Sequence, residues 1–284
     1  MAIFSNQATL TYNGNTTNSN IAYGEILDAV AATKTAVEGS YEPNQVLTYV
    51  VTLRNTGSTA LTGLTVTDDL GGYTFAGSTV YPLTYVADSV AVFADGVPQP
   101  APAVTAGPPL VFTGISVPAD GSVVIVYQAR ANQYADPTAT GTVINTVTVT
   151  GPGINTPVTA TETVPAAENA QLTITKSITP VQVVDNDRVT YTFVIQNFGN
   201  LPVIATDNAA ITDTFDPVLT DLTVTYEGTT WTQGVQYNYN AGTGVFATVP
   251  GQILVPAATY TQDPATGAYT VVPGAATLTV TGTI

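Results

Sequence analysis

Residues 46–57 read VLTYVVTLRNTG, and residues 188–199 read RVTYTFVIQNFG. Each is a run of alternating residues that ends on Asn-x-Gly. Tyr49, Val51 and Leu53 fall on one face, as do Tyr191, Phe193 and Ile195, which is the period-2 signature of half-buried β-strands. Outward from this stretch the match continues as ATKTAVEGSYEPNQVLTYVVTLRNTG (32–57) and ITKSITPVQVVDNDRVTYTFVIQNFG (174–199). Lys34 and Lys176, Tyr49 and Tyr191, Asn55 and Asn197, and Gly57 and Gly199 are each 142 residues apart (176 − 34). Further on, LTVTDDL (64–70) matches AITDTF (210–215), with Asp68 on Asp213. Both copies then reach Val-Pro-Ala, at 117–119 and 255–257, and enter a second alternating strand, GSVVIVYQARA (121–131) or GAATLTVTGTI (274–284). The chain is an internal repeat.

Composition agrees with an all-β reading. Of 284 residues, 44% are hydrophobic and 9% charged, enough apolar material for sizeable cores and too little charge for a disordered chain. Val, Thr and Tyr suit pleated surfaces, and Gly and Pro punctuate turns. The net charge of −15 repels phosphate backbones, so nucleic acid is not an expected partner. The absence of Cys excludes disulfides and thiol chemistry, and the absence of His removes the common nucleophile–base pairs. No GxSxG, P-loop or GxGxxG occurs, and no enzymatic activity is expected. The opening MAIFSNQATL has neither a basic n-region nor a long apolar run, so a signal peptide is not expected, and no stretch is apolar enough for membrane insertion.

The two copies differ at their ends. After residue 131 the first copy continues into VINTVTVTGPGINTPVTATETV (143–164), a strand, a Gly-Pro-Gly turn and a returning strand. The second copy has no counterpart after Ile284. Its counterpart stands at the front: FSNQATLTYNGNTTNSNIAYGEIL (4–27) aligns Asn6 with Asn145, Ala8 with Val147, Leu10 with Val149, Ile21 with Val158 and Glu25 with Glu162. TYTQDPATGAYTVVPG (259–274) reads as a hairpin inserted in the second body.

The ordered set Lys, Tyr, Asn-x-Gly and Thr-Asp resembles a repeat of bacterial and archaeal surface proteins known as domain of unknown function number eleven. The resemblance covers most of the chain and implies an immunoglobulin-like sandwich on a cell or spore surface, with no activity. The expected architecture is therefore an N-terminal donor hairpin (1–30), a β-sandwich with its own closing hairpin (31–167), and a second β-sandwich without one (168–284). The N-terminal hairpin has three placements: on the second body of its own chain, on that of another chain, or as a surplus element on the first body. In a tandem array, residues 4–27 lead into Lys34 as 143–164 lead into Lys176, which favours donation to another copy. The chain is then a head-to-tail homopolymer, an extracellular or spore-surface filament whose partner is itself. The donor residues are Asn6, Ala8, Leu10, Tyr12, Ile21 and Tyr23; the acceptor residues are Lys176, Leu278, Val280 and Ile284. The alternative is an adhesin or binding module whose repeats space a ligand site.

Two further expectations concern chemistry. The only two lysines sit at equivalent positions. Lys34, Asn145 and Glu162, or Lys176, Asn6 and Glu25 across a subunit joint, would form a lysine–asparagine amide if buried together, with the Glu shuttling protons. The plainer expectation is a lysine whose head reaches water or pairs with a carboxylate. No metal site is expected. Asp68 with Asp69 reads as a solvated turn, and Asp207, Asp213 and Asp216 match no calcium loop; calcium is the one cofactor these carboxylates would admit. Asp185-Asn186-Asp187 reads as a turn. Trp231 and the tyrosines are expected in cores and edges rather than in a glycan site.

Overall fold

The structure, a computed structural model, describes residues 2–26 and 29–284, with backbone alone at residues 2, 3, 25 and 26. Among the described residues it is all-β, with a single 3-10 turn at Ala205–Asp207. The chain divides into two compact units at Ala166–Ala167, with Pro137–Ala139 counted in the second.

The hairpin consists of β1 (Ala2–Asn6), β2 (Thr9–Tyr12), β3 (Asn15–Asn18) and β4 (Ala22–Ile26). The first unit continues through β5 (Val30–Ala36), β6 (Val46–Asn55) and β7 (Leu61–Asp68). Short strands β8 (Tyr73–Phe75), β9 (Ser78–Val80), β10 (Leu83–Tyr85), β11 (Ala91–Ala94), β12 (Val97–Gln99) and β13 (Ala103–Thr105) follow. It ends on β14 (Leu110–Val117), β15 (Ser122–Ala131), β16 (Thr142–Thr150) and β17 (Val158–Pro165). The second unit holds β18 (Leu172–Thr179), β19 (Arg188–Asn197), β20 (Thr212–Thr214), β21 (Thr220–Tyr226), β22 (Thr229–Thr230), β23 (Tyr237–Asn240) and β24 (Val245–Thr248). The inserted hairpin β25 (Thr259–Gln262) and β26 (Tyr269–Val272) precedes β27 (Gly274–Thr283).

Strand order makes the repeat explicit. In the first unit one sheet runs β12-β11-β15-β6-β5 and the other β13-β14-β7-β16-β17. In the second unit the equivalent sheets run β22-β21-β27-β19-β18 and β23-β24-β20. The first pair matches along these paths, down to Tyr49 opposite Tyr127 and Tyr191 opposite Val280, with β10 as an additional short strand on β15 in the first unit. The second pair has five strands against three, and the two without a counterpart are β16 and β17, the closing hairpin.

Alternation is what buries the cores. Along β6, Leu47, Tyr49, Val51 and Leu53 point inward and are fully buried, and β15 does the same with Val123, Ile125, Tyr127 and Ala129. The Asn-x-Gly of the repeat is a fastening. Asn55 Nδ2 donates to Thr59 O and Pro118 O at 2.9 Å, and its Oδ1 accepts the Gly57 amide. Asn197 makes the same bonds to Leu201 O, Pro256 O and the Gly199 amide. Each Asn thus ties the end of a central strand to the Val-Pro-Ala turn. Gly199 is required by close approach: a Cβ there would lie 2.3 Å from Asn169 O.

The acceptor expectation needs correcting. Leu278 and Val280 are fully buried in their own unit's core. They sit on β27, which is paired on one side by β19 and on the other by β21, so that strand has no free edge. Ile284 N and O bond Asp187 O and Asn186 N. The unpaired edge belongs to β20. The Asp185–Asp187 turn forms as expected, with Asn186 at φ 70°.

Candidate functional site

In the first unit β5 and β7 belong to opposite sheets, and their inward positions bring Lys34 and Asp68 together. Lys34 Nζ lies 2.6 Å from Asp68 Oδ2, with both side chains fully inaccessible to solvent. This corrects one expectation, since Asp68 is not a solvated turn residue; Lys34 takes the second of its two plainer alternatives, a pair with a carboxylate, and does so out of reach of water. Asp68 Oδ2 also accepts the Tyr127 hydroxyl, and Oδ1 accepts the Leu70 amide at 2.8 Å. Asp69 does behave as a turn residue, its Oδ1 taking the Gly71 and Thr146 amides. Lys34 Nζ sits 4.9 Å from the Tyr49 ring centroid. Burial lowers the Lys34 pKa below the ordinary lysine range, opposed by Asp68 and, less strongly, by Asp69 and Glu162.

Asn145 completes this cluster. It lies two residues before Val147, which is paired with Asp68 on the same inward face of the sheet. That places Asn145 diagonally beside Asp68, at a spacing of about 7–8 Å. It is fully buried and lies beside the Tyr49 and Tyr127 hydroxyls without reaching hydrogen-bond geometry. Neither amide atom has a hydrogen-bond partner among the described residues. An orphaned buried amide costs about 1–3 kcal/mol per group and calls for a reason. Glu162 is opposite Asn145 on β17, but the carboxylate in contact with Lys34 is that of Asp68.

The second unit carries half of this arrangement. Lys176 forms an ion pair with Asp213, against the rings of Tyr191, Phe193 and Phe215 at 4.6, 5.4 and 5.3 Å. Here the lysine side chain is 38% exposed, because nothing takes the places of β16, β17 and Asn145. The same gap uncovers β18: Leu172 is 42% exposed where its counterpart Val30 is 9% exposed, and Ile174 is 53% exposed where its counterpart Ala32 is half-buried. In the first unit β17 packs across β5 and provides that cover.

The N-terminal hairpin is the mirror of this deficit. Its strands form two ladders with each other, β1 with β4 and β2 with β3, and no ladder joins them to another strand of the described chain. Phe4, Leu10, Tyr12, Ile21 and Tyr23 are all exposed, Leu10 at 61% where its match Val149 is fully buried. Neither the surplus placement on the first body nor the placement on the second body of the same chain is seen among the described residues. The register corrects one detail: Asn6 is opposite Ala22, and Glu25 is opposite Ile3, so Glu25 does not stand to Asn6 as Glu162 stands to Asn145. The Glu25 side chain lies outside the described residues.

Sequence reasoning missed Asp68, Tyr127 and Phe4. Asp68 and Asp213 could have been found, since both copies keep Lys and Asp. Tyr127 left no such signal, because its counterpart is Val280. Asp207 Oδ2 accepts the Ile204 amide and Asp213 pairs with Lys176, so these and Asp216 do not gather. Among the described residues no group of three or more His, Cys, Asp or Glu could hold a metal, and no helix is long and apolar enough to cross a membrane. Trp231 packs on Tyr226, with ring centroids 4.9 Å apart. A cleft of about 310 Å³ is lined by Tyr81, Tyr85, Asn132 and Tyr134, but Asn132 already donates to Tyr81 O and Thr84 Oγ1.

No family model matches the chain, and no curated protein matches it. Among solved structures it is similar to the full-length major pilin SpaD from Corynebacterium diphtheriae, at 13% identity and TM-score 0.38, over 86% of this chain and 59% of that one. The pilus backbone RrgB from Streptococcus pneumoniae is similar at 11% identity and TM-score 0.33, over 86% of this chain and 55% of that one. The collagen-binding subdomain of the Enterococcus faecalis surface protein ACE is similar at 9% identity and TM-score 0.33, over 50% of this chain and 99% of that one.

Proposed function

We propose that this chain is the subunit of a surface filament that grows head-to-tail, each copy donating its N-terminal hairpin to the second unit of the next. The observation that carries this reading is that the chain holds both a hairpin joined to no other strand and a sheet two strands short of its twin. Using the first unit as template, Ala8 takes the place of Val147 opposite Asp213, and Leu10 takes the place of Val149 opposite Ile211. The donor strand would pair the open backbone edge of β20 and cover Leu172 and Ile174 on β18. Edge pairing satisfies backbone groups and apolar cover together, which is the logic of strand addition. The contact is heterologous, so it continues into an open filament when the rotation does not close. The likeness of the repeat to surface-protein domains supports a location outside the cell.

The test is a pair of substitutions in the full chain. Leu10→Asp places a carboxylate on the buried face of the donor, at a cost of several kcal/mol, and should abolish filaments seen by electron microscopy. Thr9→Asp, on the opposite face, should leave most of them. Equal effects would sink the facing and with it the docking scheme. The adhesin reading leaves the unmatched hairpin and the open edge of β20 without a role, so the filament is the better reading.

A further inference from the structure

We propose that the Lys–Asp pair of the repeat is an amide-forming centre, complete in the first unit as Lys34, Asp68 and Asn145, and half-built in the second as Lys176 and Asp213. Its missing third member is Asn6 of a second copy, so the filament joint becomes covalent. The inter-chain half rests on the hairpin-donation reading; the first centre does not.

The chemistry follows from the groups that meet. An amine buried with a carboxylate is held where it can give up its proton and act as a nucleophile. The electrophile is the Asn145 carboxamide, which lies beside the Tyr49 and Tyr127 hydroxyls of the same cluster and has no hydrogen-bond partner among the described residues to account for its burial. Lys34 Nζ attacks Asn145 Cγ. Asp68 takes protons from the attacking nitrogen and passes one to Nδ2. The Cγ–Nδ2 bond breaks, ammonia leaves, and an Nζ–Cγ amide remains. One ammonium and one carboxamide become one secondary amide and one ammonium ion, Asp68 ends as it began, and no oxidant, reductant or cofactor enters. Tyr127, which donates to the same Asp68 oxygen, is a positioning residue. The product also removes two costs at once, the buried lysine charge and the orphaned amide.

In the second unit Lys176 and Asp213 already form the same pair, beside the same ring at Tyr191. Asn145 reaches its centre from the strand that pairs with β7. Asn6 stands two residues before Ala8 as Asn145 stands two before Val147, so a donor in that register brings Asn6 beside Asp213.

Intact mass of the full chain under denaturing conditions tests the first centre. The expected mass is lower than that of the sequence by one ammonia, and Asn145→Ala and Asp68→Ala should each abolish that loss. Asn145→Ala removes only an unbonded amide and should keep the fold, checked by circular dichroism. Wild-type protein at its full sequence mass overturns the first centre. For the joint, filaments boiled in detergent should run as a ladder and yield a peptide linking Lys176 to Asn6. Asn6→Ala and Lys176→Arg should still give filaments that fall to monomers on the same gel. Wild-type filaments that fall entirely to monomers overturn the covalent joint while leaving hairpin donation intact. Wild-type protein that forms no filaments overturns donation, and the mass of the monomer still decides the first centre.

Discussion

Lys34 is an expensive residue: a lysine with no access to water, held by one carboxylate between two tyrosine rings. Its cost has a pH signature in any variant that keeps the amine, such as Asn145→Ala. Because burial lowers its folded pKa, the unfolded chain binds more protons than the folded one between that lowered value and about 10.4. Stability should therefore rise with pH through this window. The groups facing Lys34 are Asp68, Asp69 and Glu162, which oppose the drop, and the Tyr49 and Tyr127 hydroxyls. Burial raises both tyrosines. Above about pH 10 the folded state then holds protons that the unfolded state has lost, and stability falls again. Thermal melts of Asn145→Ala, taken relative to the Asn145→Ala, Lys34→Met double variant so that the tyrosines cancel, should rise with pH and level off above about pH 10. A difference that falls steadily from neutral pH to that point would contradict the buried amine.

Among the elements, the hairpin β1–β4 is the least self-sufficient. A two-stranded hairpin is marginal in water, and this one carries its apolar side chains into solvent. Its amides should exchange with solvent quickly in monomers and become protected in filaments, while those of β6 and β15 stay protected in both. Rapid exchange of the hairpin within filaments would mean that it is not the joint. Its existence was legible from sequence because the Asn13-Gly14 turn and the unmatched closing hairpin are both local signals. Its register was not. Asn13 and Gly14 take φ 46° and 78° in a two-residue turn, which sets Tyr12 opposite Asn15. The turn between β16 and β17 runs from 151 to 157, so equal residue types on the two return strands do not stand at equal heights. Aligning Glu25 with Glu162 followed identity where turn length decides. Asp68 was misread for a related reason: an Asp-Asp at a strand end looks like a turn until a lysine from the opposite sheet, 34 residues earlier, is folded over it. The inserted hairpin β25–β26 depends on neighbours in sequence and was legible, whereas the Asn55 and Asn197 fastenings reach Pro118 O and Pro256 O, 63 and 59 residues on, and were not.

At the scale of the whole molecule, the order hairpin, complete sandwich, open sandwich admits closure within one chain as well as between chains, and one rearranged chain decides between hairpin and scaffold as the source of assembly. Residues 1–26 are moved from the front to follow Ile284, joined by a copy of residues 132–141, the loop that carries β15 into β16 in the first unit. Ile284 is the counterpart of Ala131, so the moved hairpin enters the second unit by the route that its twin uses. Closure within the chain acts at an effective concentration of roughly millimolar for a short linker, so it outcompetes a neighbour's hairpin at micromolar protein. The second unit then owns five strands in its second sheet, Leu172 and Ile174 are covered, and the front of the chain carries nothing to donate. The expected product is a soluble monomer in size-exclusion chromatography, with a higher melting temperature for the second unit and no filaments by microscopy. Its intact mass should be lower by two ammonias, one from each centre, because Asn6 now meets Lys176 within the chain. If the rearranged chain still assembles into the same filaments, the joint lies elsewhere and the donor scheme fails. If it is monomeric with a loss of one ammonia, the scheme holds and the second centre does not react.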